Sequence, residues 1–439
     1  MAFIHPQSCE CTKSELDIFA VPPTQTSVEY GSWVEYHPIA AITQGAPIEF
    51  NVTGSGQDYL DLANTQLHVK AQIQTAAGED LGADAPVGPV NLFLHSLFSE
   101  IDVSLNNTLV TSANNTYPYR AYLENIFSYG PASKNLQLTS ALYYKDLAGR
   151  MEDTNPFHND TRNDGLKKRG AFTNGPRIVD LIGCIHSDLF FQDRYLLNDI
   201  GLNVRLVRSK DVFCFMGPAD SMYKVRIHDC KLMVRKIRLS PSVFIAHAKA
   251  LEKGNAKYPI RRVVCKTFTI PRGNLNVSQE SLFSGQLPTR IVIGCVDNEA
   301  FNGAPNRNPF NFKHFNLRQL KIYLDGQQQT LRPLDINFTT HNWIAAYSTL
   351  FSGTGKLQKD EGNDITRADF AEGYAIYAFD LTPDLAESDH FNLARQGNVR
   401  LDLTFAEALA NTVNVIAYAE FESIIEIDKN RNVIFDYKN

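Results

Sequence analysis

Cysteine is scarce in this 439-residue chain, and its seven copies form no even framework. That excludes a small scaffold stapled by disulfides. Cys9-x-Cys11 is not joined by a second pair at zinc-site spacing, so no metal ligands are assigned. The other five, Cys184, Cys214, Cys230, Cys265 and Cys295, fall in apolar or strand-like segments. A thiol there packs as a small hydrophobe, and they are expected as buried free thiols in a reducing compartment.

An excess of basic charge is also missing. The formal net charge is −6, so no overall attraction to a phosphate backbone operates and a dedicated nucleic-acid-binding role is excluded. The basic run Lys167-Lys168-Arg169, set between Gly165 and Gly170, reads as a solvated loop without function. No stretch approaches the ~20 apolar residues of a membrane span. Met1-Ala2-Phe3-Ile4-His5-Pro6 lacks the basic n-region and apolar h-region of a secretory signal.

Catalytic motifs are absent too. There is no G-x-S-x-G elbow, no phosphate-binding loop, no G-x-G-x-x-G after a strand and no H-E-x-x-H. Two local groups are worth weighing. In His228-Asp229-Cys230, strand alternation puts His228 and Cys230 on one side with Asp229 facing away. In His186-x-Asp188 both side chains share a strand face and could approach a cation, but two ligands make no site, and hydrogen bonding is the better reading. No catalytic, cofactor-binding or metal-ligating residue is assigned, and no cofactor is expected.

What the chain does contain is punctuation. Its 26 glycines and 20 prolines cluster with Asn, Ser and Thr at short intervals, which points to many short strands and a mostly β, all-β class chain. Apolar residues occupy alternate positions in Leu67–Gln74, Ile101–Leu105, Val225–His228 and, with one break in phase along its length, Lys231–Leu239. Each reads as a half-buried strand. Ile101–Leu105 runs into Asn106-Asn107, and Leu320–Leu324 into Asp325-Gly326, both hairpin tips. Val399–Phe405 alternates as well, and Val413–Glu422 followed by Ile424–Ile427 reads as a final strand pair.

These features suggest an internal duplication. Asn398-Val399-Arg400-Leu401 echoes Asn203-Val204-Arg205-Leu206, and the hairpin strands recur. The hairpin strands lie about 220 residues apart and the echoing strands about 195, so the first half must carry a longer insertion, assigned to Tyr129–Gly175. Helices are few: one from Tyr117 to Phe127, with Pro118 near its start, and one from about Ser242 to Lys253, ended by Gly254. The second links the halves, giving an arm at 1–20, a first β domain at 21–240, a linker at 241–257 and a second β domain at 258–439.

Ser27-Val28-Glu29-Tyr30-Gly31-Ser32-Trp33-Val34-Glu35-Tyr36-His37-Pro38, then Pro47-Ile48-Glu49-Phe50 and Asp58-Tyr59-Leu60-Asp61-Leu62, resemble the major capsid proteins of Polinton/Maverick elements and adintoviruses. Asn91-Leu92-Phe93-Leu94-His95-Ser96-Leu97-Phe98, Tyr117-Pro118-Tyr119-Arg120, and Phe315-Asn316-Leu317 with Ile322-Tyr323-Leu324-Asp325-Gly326 extend the likeness over roughly residues 20 to 430. The resemblance implies two tandem eight-stranded antiparallel jelly-roll sandwiches, a hexon-like double jelly-roll. It implies a homotrimeric capsomer of pseudo-hexagonal outline, tiled with neighbouring trimers, penton and minor capsid proteins into an icosahedral capsid. That virion shell, assembled inside a host cell, would enclose double-stranded DNA without reading its sequence. The protein would be structural and not an enzyme.

On this reading Tyr129–Gly175, Asn302–Asn316 and Ser352–Gly362 are connections at the sandwich ends, free to vary and available for tower and trimer contacts. A chain terminus reaches the inner face, where the Cys9-Glu10-Cys11 arm is ordered by a neighbour. Two rivals remain open. One is a glycan-processing amidase with a working carboxylate in the cleft between sandwiches; the other is a lectin-like glycan-binding protein.

Overall fold

Alternation of apolar side chains is what builds the sheets of this protein. A computed structural model describes residues 4–111, 114–328, 334–360, 362–385 and 390–435. Met1, Ala2 and Phe3, at the head of the segment read for a secretory signal, and Glu361, within the Ser352–Gly362 stretch, lie outside the described residues.

The first half contributes β1 Val28–Tyr36, β2 Ile48–Val52, β3 Asp58–Gln74, β4 Phe98–Leu105, β5 Thr108–Leu109, β6 Val179–Cys184, β7 Leu202–Arg208 and β8 Lys224–Leu239. They pair antiparallel as two sheets, in the orders β1-β8-β3-β6 and β2-β7-β4-β5. The second half contributes β9 Ala256–Ile270, β10 Asn276–Gln286, β11 Arg290–Asp297, β12 Leu317–Leu324, β13 Gln327–Gln328, β14 Ile376–Asp380, β15 Gln396–Phe405 and β16 Val413–Ile427. Its sheets run β9-β16-β11-β14 and β10-β15-β12-β13. Among these sixteen strands, in both halves the first, eighth, third and sixth form one sheet and the second, seventh, fourth and fifth the other; short strands at Leu334–Asp335 and Val433–Phe435 extend the second half's sheets, and Gly88–Pro89 pairs with Phe215–Met216 apart from them. Such a connectivity joins strands across the two layers, and it occurs twice in one chain.

Inward residues of facing sheets fill each sandwich: Phe50, Val69, Val103 and Val204 in the first, Ile293, Ile322, Leu401 and Val415 in the second, all 0–1% exposed. The sequence echoes fall on equivalent strands, since Asn203–Leu206 lies in β7 and Asn398–Leu401 in β15. Both hairpin tips adopt the expected left-handed backbone, with φ of 44° and 67° at Asn106-Asn107 and 50° and 78° at Asp325-Gly326. The longer insertion lies between the fifth and sixth strands of the first half. It carries α1 (Tyr117–Ser128) and α2 (Asp164–Thr173), while the equivalent span of the second half carries α4 (Ile344–Ser352). Between the sandwiches, α3 spans Pro241–Leu251.

Three expectations are corrected. Lys167-Lys168-Arg169 is not a solvated loop: it lies in α2, capped by the Asn163 side chain, with Arg169 fully buried. A basic triplet looks solvated until a buried carboxylate is found to meet it. His228 and Cys230 do not share a face, because a register shift between Ile227 and Asp229 inserts one residue, leaving His228 exposed and Cys230 buried. Val413–Ile427 is one strand rather than two, paired along its whole length with β9. Of the five cysteines expected inside, four are buried and Cys184 is half-buried; all seven are free, and Cys9 and Cys11 are exposed.

Candidate functional site

The residues that hold the two sandwiches together form the most heavily built polar region of the molecule. Its spine is α1, where all residues except Glu124 and Ser128 are buried. Pro118 in the first turn needs no amide partner, so it starts the helix against the sheet. From this helix Tyr122 stacks on Phe310 with ring centroids 4.3 Å apart, and Tyr119 stacks on Phe301 at 5.6 Å and meets Phe310 and Phe312 edge-on. All three phenylalanines belong to the second half. The stretch Asn302–Asn316 is therefore not a free loop, for it delivers Phe310 and Phe312 into the seam, both about fully buried. Gly294 makes room for them: a Cβ there would lie 2.5 Å from the Phe312 ring.

Charge crosses the same seam. Arg120 donates to Glu124 at 2.8 Å and to Asp188 at 2.6 Å, and Asp188 also accepts from the Val263 amide in β9 at 3.1 Å. Arg169 donates to Asp146 at 2.6 Å with neither side chain exposed, and to the carbonyls of Pro89 and Tyr144. Asp146 in turn accepts from Asn163 and from Asn308 of the second half, and its backbone carbonyl accepts from Tyr374. Lys134 donates to the Ile126 and Asn363 carbonyls, and Lys145 to Asp369 at 2.8 Å. Burial lowers the Lys134 ammonium to about 7. Tyr129–Gly175 thus supplies much of the joint, which corrects its reading as a freely variable connection.

His186 and Asp188 share no strand face; they belong to one network through the Glu124–Arg120 pair, His186 meeting Glu124 and Asp188 meeting Arg120. His186 follows β6, and Asp188 opens a short 3-10 turn, Asp188–Phe191. His186 Nδ1 lies 2.6 Å from Glu124, its Nε2 lies 2.9 Å from the Asn125 amide and 3.8 Å from Cys184 Sγ, and its ring meets His95 edge-on at 4.7 Å. Burial opposes charge on His186, but the neighbouring Cys184 sulfur and Glu124 carboxylate outweigh it and push the imidazole up to about 9. Burial would raise Glu124, yet Arg120 and His186 hold it below the ordinary carboxylate range. Burial, and then the neighbouring His186 ring, holds His95 well below the ordinary imidazole value.

Stability carried by His186 is accordingly present in full below its ordinary value of about 6.5 and lost as the pH rises through about 9, whereas that of Glu124 is lost only in acid. Unfolding midpoints taken at about pH 6 and about pH 9.5 are expected to fall with rising pH in the native chain, and to fall less in His186→Asn. Equal pH dependence in both would remove His186 from the seam.

This network borders a cleft of about 760 Å³ between the sandwiches, lined among others by Arg120, Glu124, His186, Arg261, Glu420 and Glu422. The carboxylates in and beside the cleft are engaged in pairs: Glu124 and Asp188 with Arg120, Glu420 with Arg290 at 3.2 Å and the Tyr418 hydroxyl at 3.0 Å, and Glu422 with Asn392. Among the described residues, no group of three or more His, Cys, Asp or Glu side chains is disposed to hold a metal ion. No helix among them is long and apolar enough to cross a membrane. The arrangement joins the walls of the cleft through paired charges and hydrogen bonds.

Sequence reading missed Arg169, Asp146, Tyr122, Phe310 and Phe312. The alternation Phe310-Asn311-Phe312 was the available signal, masked by the surrounding Asn and Pro.

No family model matches the chain. An uncharacterized protein of Caenorhabditis elegans is 27% identical over 429 residues, spanning 95% of this chain and 99% of that one. Among solved structures, that of the Sputnik virophage superposes with a TM-score of 0.69 at 12% identity, covering 100% of this chain and 94% of that one. The mavirus major capsid protein gives 0.58 at 12% identity, covering 99% and 95%, and the Faustovirus major capsid protein 0.54 at 8% identity, covering 95% and 92%. With the strand order repeated in each half, these likenesses give the fold: the chain is a double jelly-roll, the architecture of viral major capsid proteins.

Proposed function

We propose that this chain is the major capsid protein of a double-stranded DNA virus or virus-like transposon of the Polinton/adintovirus kind. Three copies close into a pseudo-hexameric capsomer, and capsomers tile an icosahedral shell with penton and minor capsid partners, enclosing DNA without sequence-specific contacts. Its place is the virion, and it performs no catalysis. The observation that carries the reading is one eight-strand connectivity built twice in a single chain and fastened by a buried polar and aromatic seam.

Fastening matters physically. Two sandwiches held at a fixed angle let a three-fold trimer present six similar sandwiches, so it packs where six neighbours meet. Interfaces that close on themselves in this way commonly bury ~2,000 Å² or more. The net charge of −6 suits a container rather than a DNA-binding module. The nematode relative, similar in span, supports an element carried by animal hosts. The corresponding division of the chain is an arm at 1–20, a first jelly-roll at 21–240, a linker at 241–257 and a second jelly-roll at 258–439.

Light scattering on the purified chain tests the reading. A mass three times the 49.2 kDa of one chain is expected, with pseudo-hexagonal particles by electron microscopy. A stable 49.2 kDa species that cleaves glycan amides would sink it in favour of an amidase.

A further inference from the structure

We propose that the groove beneath α3 receives the N-terminal arm of a second copy of this chain. The proposal rests on the self-assembly reading above and adds a specific contact to it.

The arm is the first half of the observation. Before β1 the described residues form a hydrogen-bonded turn at His5–Ser8 and one short 3-10 turn, Ser14–Leu16, and all of them are exposed. Leu16, Ile18, Phe19 and Val21 are 67%, 74%, 93% and 85% exposed. Four large apolar side chains within six residues, all in water, are a contact surface without its partner.

The groove is the second half. It holds about 840 Å³ where α3 passes over the junction of the sandwiches, with Tyr59, Leu239, Val243 and Leu251 among its lining. Of the helix itself, Pro-Ser-Val-Phe-Ile-Ala-His-Ala-Lys-Ala-Leu, Leu251 is the one buried residue, Val243 and Phe244 are partly buried against the core, and Ile245 is 52% exposed. The charges lean the same way: Arg194, Lys253 and Lys257 against Asp193 leave the groove lining net positive, and the arm places Glu15 and Asp17 on either side of Leu16, with Lys13 before them.

Chain geometry favours another copy over self-docking. Ser27 and Val28 line the groove, so the arm departs from its edge. Gln25 fixes that exit, its amide donating to the Val28 carbonyl at 3.1 Å while its oxygen accepts from the Val28 amide at 2.8 Å. Just upstream stand Pro22-Pro23, whose locked φ keeps the chain extended and resists reversal within the few residues available. Extended, Leu16 to Ser27 reaches up to about 40 Å at ~3.3 Å per residue, enough to enter a neighbour.

Cross-linking of the full chain tests this. With Cys9→Ser and Cys11→Ser removing the exposed native thiols, Phe19→Cys and Ala250→Cys are combined, and assembled material is mildly oxidised. Interchain species on a non-reducing gel, several-fold more abundant than from either cysteine alone, are expected. A link confined within one chain, or no link in material that still has trimer mass, overturns the arm exchange and leaves the capsid reading standing. A chain that stays single in solution sinks both. Leu16→Asp with Phe19→Asp, both in water here, is expected to leave the unfolding midpoint unchanged and to lower particle yield at least tenfold. Unaltered yield again counts against the contact.

Discussion

Arg169→Met is expected to destabilise the chain by about 3–5 kcal/mol, because it strands the Asp146 carboxylate in a place with no water. Neither member of this pair has an exposed side chain. The attraction between them offsets a desolvation cost of several kcal/mol per ion, so the intact pair contributes little net stability while half of it is a liability. Methionine fills similar volume but returns no donor to Asp146, Pro89 or Tyr144. With an unfolding entropy of about 2 cal/mol/K per residue, a chain of this length unfolding as one unit would lose roughly 3–6 °C in Tm. Differential scanning calorimetry reads this directly. Arg169→Met combined with Asp146→Leu should recover at least half of the loss, since no buried charge then remains. A single variant as stable as the native chain would mean that Asp146 finds water, and the joint described above would not be dry.

The same pair shows where sequence reading stops. Strands such as Ile101–Leu105 and Val399–Phe405 declare themselves, because a period of two is a local property and one face of each is water. Hairpin tips do so as well: Asn106-Asn107 and Asp325-Gly326 carry residues that tolerate positive φ, and the backbone takes it there. The seam has no such local mark. Arg169 sits in a basic triplet and Asp146 in a polar loop, and each looks solvated until the fold brings them within 2.6 Å. Phe310 and Phe312 hide among Asn and Pro, and their partners on α1 lie far away in sequence. The bulge after Ile227 leaves no trace in composition, so faces assigned by strict alternation fail beyond it. In Val413–Ile427, the polar pair Glu422-Ser423 suggests a break, but both residues pair in register with Arg261 and Ile260 of β9 and the strand continues. What was legible was each sandwich; what was not was how one is fixed to the other.

That joint can be broken on its apolar side. Phe310→Ala removes a ring that is 1% exposed, stacked at 4.3 Å on Tyr122 and edge-on to Tyr119 and Phe213, and is expected to cost about 3–5 kcal/mol. Phe391→Ala, at the mouth of the cleft and 49% exposed, should change stability by no more than about 0.5 kcal/mol. The location of the loss matters more than its size. Each sandwich keeps its own inter-sheet core, so far-UV circular dichroism should hardly change in Phe310→Ala. The contact between halves weakens instead, and the exposed helix Pro241–Leu251 becomes the weakest tether. Limited proteolysis is therefore expected to cut the variant there, into two fragments of similar size, under conditions that leave native trimers whole. Capsomers should form in lower yield, because a trimer can present six evenly placed sandwiches only if the two in each chain do not swing. Cleavage at the same rate in both proteins would show that the seam is not what holds the sandwiches in register, and the burden would pass to contacts between chains.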